Sequence, residues 1–142
     1  MAGATFVSGS LLDEAAGFPE LEGKIDVVHA SSLLHLFTWP EQVVITSRLV
    51  RFMKARPGSM MMGRQVGAVE AGEYRGLSEG TTTYRHNVES FRRLWVEVGE
   101  RTGGKWTVNA SLDMKDIVQG VNMGQKWTEP GTRRLHFTAV RE

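Results

Sequence analysis

One stretch constrains the fold more than any other: a strand, a capped helix and a second strand succeed one another between residues 25 and 66. Ile25-Asp26-Val27-Val28-His29 is rich in β-branched residues and follows the Gly23-Lys24 break. It reads as a strand, and its composition predicts a buried central one. Thr38-Trp39-Pro40-Glu41 then opens a helix. Thr38 is the expected N-cap, and Glu41 three residues on completes a capping box. Proline is tolerated in a first turn because that N–H has no helical partner. The helix is predicted to reach about Lys54, with Val43, Val44, Leu49, Val50, Phe52 and Met53 as a wide apolar face. Pro57-Gly58 turns the chain, and Ser59 to Val66 reads as the next strand. Its Met60-Met61-Met62 run fits a strand buried on both faces better than a metal site or a sticky groove. Such alternation predicts parallel α/β units.

The flanks extend this pattern. Ala4-Thr5-Phe6-Val7-Ser8 reads as a short strand stopped by Gly9, with a turn or short helix starting at Leu11-Leu12-Asp13-Glu14. Gly67 to Thr83 is long for a loop in a compact domain, which predicts a lid or a flexible insertion with Gly72, Gly76 and Gly80 supplying mobility. Asn87 is a good N-cap, and Val88, Phe91, Leu94, Trp95 and Val98 form one helical stripe that Gly103-Gly104 ends. Lys105 to Ala110 reads as a strand, Met114 to Asn122 as a short helix or loop, and Leu135 to Val140 as the final strand. The last two strands suggest an antiparallel edge pair.

Composition excludes several classes. The 142 residues fit one domain, 1–142, and 41% hydrophobic with 23% charged residues is too apolar for a disordered chain. The formal net charge is +1 and the basic residues are scattered, so no phosphate-binding stripe points to nucleic acid. There is no cysteine, which removes disulfides, thiolate zinc sites and cysteine nucleophiles. No apolar run reaches the length of a membrane span, and the N-terminal residues do not read as a secretory signal, so the expected compartment is the cytoplasm. His29 and His35 lack the spacing of paired helical metal ligands, and no metal is expected. No GxSxG, P-loop, HExxH or EF-hand pattern occurs.

Lys24-Ile25-Asp26-Val27-Val28-His29-Ala30-Ser31-Ser32-Leu33-Leu34-His35-Leu36-Phe37 resembles the fourth-strand segment of class I S-adenosylmethionine (SAM)-dependent methyltransferases. Arg56-Pro57-Gly58-Ser59 resembles the turn before their fifth strand. Tyr84-Arg85-His86-Asn87-Val88-Glu89-Ser90-Phe91 and Trp127-Thr128-Glu129-Pro130-Gly131-Thr132-Arg133-Arg134 are similar to a fungal subgroup from polyketide and meroterpenoid pathways. The resemblance covers nearly the whole chain and is to the C-terminal half of such enzymes. It implies an α/β, Rossmann-like methyltransferase sheet that is truncated, lacking the first two strands, with an antiparallel C-terminal strand pair. The glycine-rich loop and the acid after strand two, which hold the cofactor's amino-acid end and ribose, do not occur within these residues.

The resemblance also implies a partial site. Ser10 stands where the family often has an acid near the adenine amine, and the Leu11 N–H meets the adenine ring. His29, Ala30 and Ser31 line the methionine end of SAM. His86, between the long loop and the second helix, is the expected base for a hydroxyl acceptor; a carboxylate acceptor needs none. Ordering the loop–helix junction is the alternative role for His86. His35, Trp39, Gln65 and Tyr84 fall on the side of a small polyketide or terpenoid substrate. In the family's sheet the missing strands lie beside strand four, whose edge is then unpaired. Strand three can shift onto it, a homodimer can cover it, or a partner can supply the N-terminal half; the homodimer is favoured. Three functions follow. The first is O- or carboxyl-methyl transfer once the cofactor site is completed. The second is a repurposed, SAM-independent isomerase or cyclase. The third is a non-catalytic truncated subunit.

Overall fold

Two local signals place both helices. Thr38 donates its backbone N–H to Glu41 Oε2 at 3.2 Å, and the helix α1 spans Trp39–Phe52. Asn87 Oδ1 accepts from the Ser90 N–H at 2.8 Å while Ser90 Oγ accepts from the Asn87 N–H at 3.1 Å, and α2 spans Val88–Thr102. Gly103 ends α2 with φ +81°, a left-handed conformation that glycine adopts without strain.

The computed structural model describes residues 3–13, 17–117 and 129–142, and shows a mixed α/β fold. The strands are β1 (Val27–His29), β2 (Met60–Ala68), β3 (Gly72–Arg75), β4 (Thr82–Arg85), β5 (Trp106–Leu112) and β6 (Thr132–Arg141). One sheet has the order β1-β2-β6-β5. β1 lies parallel to β2, with Val27 opposite Met60 and His29 opposite Met62, as the strand–helix–strand alternation predicts. β2 and β6 pair antiparallel from Met60–Val140 to Ala68–Thr132, and β5 pairs antiparallel with β6 at the far edge.

The core lies between the helices and one sheet face. Phe91, Leu94, Trp95 and Val98 of α2 and Val43, Ile45, Leu49 and Val50 of α1 pack with Met61, Leu135, Phe137 and Ala139. Gly63 is required where β1 ends: a Cβ there would lie 1.9 Å from the Ala30 carbonyl oxygen. The opposite sheet face is exposed at Val27, Met62, Arg64, Asn109, Ser111 and His136.

Several expectations are corrected. Residues 4–8 are not a strand; Phe6 is 93% exposed, and with no neighbouring ladder the alternating pattern has nothing to pair with. The segment read as a central strand is the edge strand β1, shorter than expected, with Val27 49% exposed. The methionine run is buried on one face: Met61 is fully buried and Met62 is 37% exposed. The stretch read as a lid or insertion holds the hairpin β3–β4, and β2 runs on to Ala68. Here Tyr74 and Thr82-Thr83-Tyr84 supply strand-forming side chains, and the Gly76 N–H donates to the Thr81 carbonyl across the turn at 2.8 Å. β6 begins at Thr132, three residues before the expected start. Of the expected helix or loop at Met114 to Asn122, residues 118–122 lie outside the described residues, as do Trp127 and Glu14.

Candidate functional site

The C-terminal end of β1 makes an unusual turn. Ala30 is buried, its N–H donating to the Met62 carbonyl at 2.9 Å. Ser32 has φ +56°, left-handed for a non-glycine residue, and is held there by its N–H bond to the Arg64 carbonyl at 2.7 Å. Backbone held in this region is a common property of ligand-binding turns. Between them, Ser31 Oγ lies 3.1 Å from His29 Nε2 and accepts from the Arg64 N–H at 3.3 Å. Beside this turn the exposed sheet face forms a depression of about 700 Å³, lined by His29, Ser31, Met62, Arg64, Asn109 and His136 among others. His136 Nε2 meets Asp113 Oδ1 at 3.0 Å on its rim. The Arg64 guanidinium is exposed and has no partner among the described residues. Arg64 and the His136–Asp113 pair escaped the sequence reading, because their placement depends on the β2–β6 register.

The structure does not bring Ser10 and Leu11 to that turn. Neither lines the depression. Ser10 is exposed, its Oγ accepting from the Leu12 N–H at 3.3 Å, and Leu11 packs at the margin of the core.

A second group gathers where α1, α2 and β4 meet. Trp39, Tyr84 and His86 have ring centroids 4.8–5.1 Å apart, and Phe91 lies 5.5 Å from His86 on another side. Trp39 Nε1 donates to Glu97 Oε2 at 2.7 Å. His86 is fully buried, with Nε2 3.0 Å from Gln42 Oε1 and Nδ1 2.9 Å from Ser90 Oγ. Gln42 Nε2 donates to the carbonyls of Phe37 at 3.0 Å and Tyr84 at 2.9 Å. Its Oε1 therefore faces His86 as an acceptor, which puts the imidazole proton on Nε2 and leaves Nδ1 to accept from the Ser90 hydroxyl. Burial, and secondarily the charge of Arg93, lowers the pKa of His86 from 6.5 to about 3. Both nitrogens are engaged and the ring is neutral. This runs against the general-base expectation for His86, because a base needs a free nitrogen facing its substrate. Gln42 was missed; a buried amide on the apolar face of a helix was its one sequence signal.

His35 is half-buried. Its Nδ1 accepts from the Val66 N–H at 3.4 Å, and burial, then Arg85, lowers its pKa. It lines a cavity of about 30 Å³ with Leu36, Val66, Arg75, Thr83 and Arg85, too small for an organic acceptor. Gln65 is 3% exposed, and neither its Oε1 nor its Nε2 has a partner among the described residues. Trp39 and Tyr84 are thus together, while His35 belongs to a separate small cavity. No group of three or more metal-ligating side chains occurs among the described residues. No described helix is long and apolar enough to cross a membrane.

The polar strand end suits the amino-acid end of SAM: a hydroxyl, an imidazole and an unpartnered guanidinium stand beside an open depression. Among the described residues nothing comparable stands beside the depression for its ribose and adenine, since Ser10 and Leu11 do not line it. The fit is to one end of the molecule.

A mixed α/β fold of this kind is shared with a solved structure described as a Zn-dependent alcohol dehydrogenase from Rhodobacter sphaeroides, at a TM-score of 0.59 and 15% identity over 97% of this chain and 67% of that one. At that identity the likeness is one of fold alone. The homologues of the chain are fungal O-methyltransferases and methyltransferases. It is 37% identical to the O-methyltransferase phiE of Fungal sp. (strain ATCC 74256) over 94% of this chain and 48% of that protein. It is 39% identical to the O-methyltransferase atr3 of Stereocaulon alpinum over 85% of this chain and 34% of that protein. It is 32% identical to the methyltransferase trt5 of Aspergillus terreus over 80% of this chain and 41% of that protein. The chain thus spans about half the length, or less, of the curated relatives it matches, an extent that fits a C-terminal half. No protein-family model matches it.

Proposed function

We propose that the chain is part of a SAM-dependent methyltransferase of fungal secondary metabolism, working in the cytoplasm and transferring a methyl group to an oxygen of a small polyketide or terpenoid once its cofactor site is completed by a second chain. The observation that carries this is the 37% identity to an O-methyltransferase over 94% of the chain. SAM supplies an electrophilic methyl group when bound. His29, Ser31 and Arg64 hold its amino-acid end, with the guanidinium of Arg64 on the carboxylate. Ribose and adenine contacts come from outside this chain or from a rearranged Ser10–Leu11 segment. Trp39 and Tyr84 form the apolar wall toward the acceptor; the Gln65 amide is buried and reaches the acceptor only if β2 and its neighbours part. His86 acts as a positioning residue that fixes Trp39 and Tyr84 against α1. A hydroxyl acceptor would pass its proton to solvent, and a carboxylate acceptor needs no base.

Isothermal titration of the full chain with SAM, with the mass in solution measured on the same sample, tests this. The expected result is micromolar binding by a species larger than one chain, weakened at least about tenfold by Arg64→Ala. No binding by a well-folded sample of any mass overturns the reading.

A further inference from the structure

The molecule carries an unpaired strand edge and an unpaired strand-forming segment. Asp26 accepts from the Met60 N–H at 3.0 Å and the Ala30 N–H donates to the Met62 carbonyl at 2.9 Å. Backbone groups alternate sides along a strand, so those of Val27 and His29 point away from β2, toward the open edge. Ile25 is already bridged to Met53, which closes the edge below them. Val27 and His29 are left with a free N–H and C=O each, on an edge with no neighbour in the sheet among the described residues.

Ala4-Thr5-Phe6-Val7-Ser8 has the alternating, β-branched and aromatic character of a strand and no charged residue. Yet Phe6 is 93% and Val7 40% exposed, and no backbone hydrogen bond joins residues 4–8 to any described segment. The root of the segment is tied to the flank of α1. Gly9 sits against the Phe18 ring, Phe18 packs edge-on against Phe52 with centroids 5.6 Å apart, and Arg48 donates to the Asp13 carbonyl. In the single chain the segment makes no backbone bond to that edge, although its root lies beside Phe52, whose carbonyl accepts from Ile25.

We propose that residues 4–8 of one copy add as a strand to the β1 edge of a second copy, and that the exchange is reciprocal. Each copy offers one segment and one edge, so two copies satisfy both and the assembly closes as a dimer. Five residues span about 17 Å, enough to cover Val27 to His29. The added strand hides a sheet edge that is otherwise open to uncontrolled pairing. It also brings the partner's segment beside His29, at the strand end read above as the cofactor turn. This deepens the completed-site reading by naming what does the completing. Assembly and SAM binding are measured separately, so either can fail alone.

Sedimentation of the full chain across a micromolar concentration series, with Phe6→Asp and Val7→Pro alongside, tests the exchange. Phe6 and Val7 are exposed in the single chain, so far-UV circular dichroism of the dilute monomer should be unchanged in both variants. The expected result is a dimer whose dissociation constant rises at least about tenfold in each variant, with the Val27 and His29 amides protected from hydrogen exchange only in the dimer. A monomer at every concentration overturns the proposal. So does a dimer indifferent to both variants. Protected Val27 and His29 amides in a monomer show the segment folding back onto its own edge, and also overturn it.

Discussion

His86 and His29 stand at two polar sites built on opposite principles. Every polar atom of the His86 and Gln42 side chains is matched: Gln42 clamps two carbonyls and the imidazole, Ser90 closes the other nitrogen, and Trp39, Tyr84 and Phe91 pack around the ring. At the other site His29 and Arg64 are exposed, Ser31 is half-buried, and the Arg64 guanidinium is unmatched among the described residues. The difference teaches how to separate a histidine that holds the fold from one that can hold a ligand. A buried, saturated ring has no capacity left to bind, whereas an exposed and under-used one has capacity and little effect on stability.

Substitution breaks this contrast first. His86→Ala should cost about 3 kcal/mol, because Gln42 Oε1 and the Ser90 hydroxyl are left buried and unpaired beside a cavity. His29→Ala should stay within about 0.5 kcal/mol of the parent. Urea unfolding of both variants checks this, and equal costs would end the distinction.

Acidity sharpens it next. Because the folded chain holds the pKa of His86 at about 3 against an ordinary 6.5, the unfolded chain takes up the proton first. The stability contributed by the neutral ring is therefore complete above pH 6.5 and is lost as pH falls from there toward 3. The slope attributable to His86 is about 1.4 kcal/mol per pH unit within that window. Denaturation midpoints at several pH values should show a shallower dependence in His86→Gln and an unchanged one in His29→Ala. The smallest effect belongs to the rim of the depression: Asp113→Asn loosens an exposed His136 contact and should leave the melting temperature unmoved.

How much of this was legible beforehand follows from how local each determinant is. Both helix starts rest on side chains within three residues of the cap, and both were read correctly from Thr38 and Asn87. The parallel β1–β2 pair was legible because a helix between two strands leaves few other arrangements. That β1 is an edge was not: Val27 and Val28 suit a central or an edge strand equally, and only the neighbours decide. The β3–β4 hairpin was hidden by glycines that read as mobility, although Tyr74 and Thr82-Thr83-Tyr84 carry strand character. The position of His29 to Ser31 at the end of β1 was readable, because these residues lie within one contiguous motif. The saturation of His86 was not, since Gln42 lies 44 residues away in sequence.

Gln42 carries a consequence of its own. One amide joins the loop before α1 at Phe37, the hairpin at Tyr84 and the start of α2 through His86. Glutamate in its place could accept from His86 but not donate to the two carbonyls, and leucine could do neither. Position 42 is therefore nearly closed to substitution. The three segments should also open together in hydrogen exchange rather than one at a time, so that the hairpin, thin as it is, inherits the lifetime of the helix beneath it.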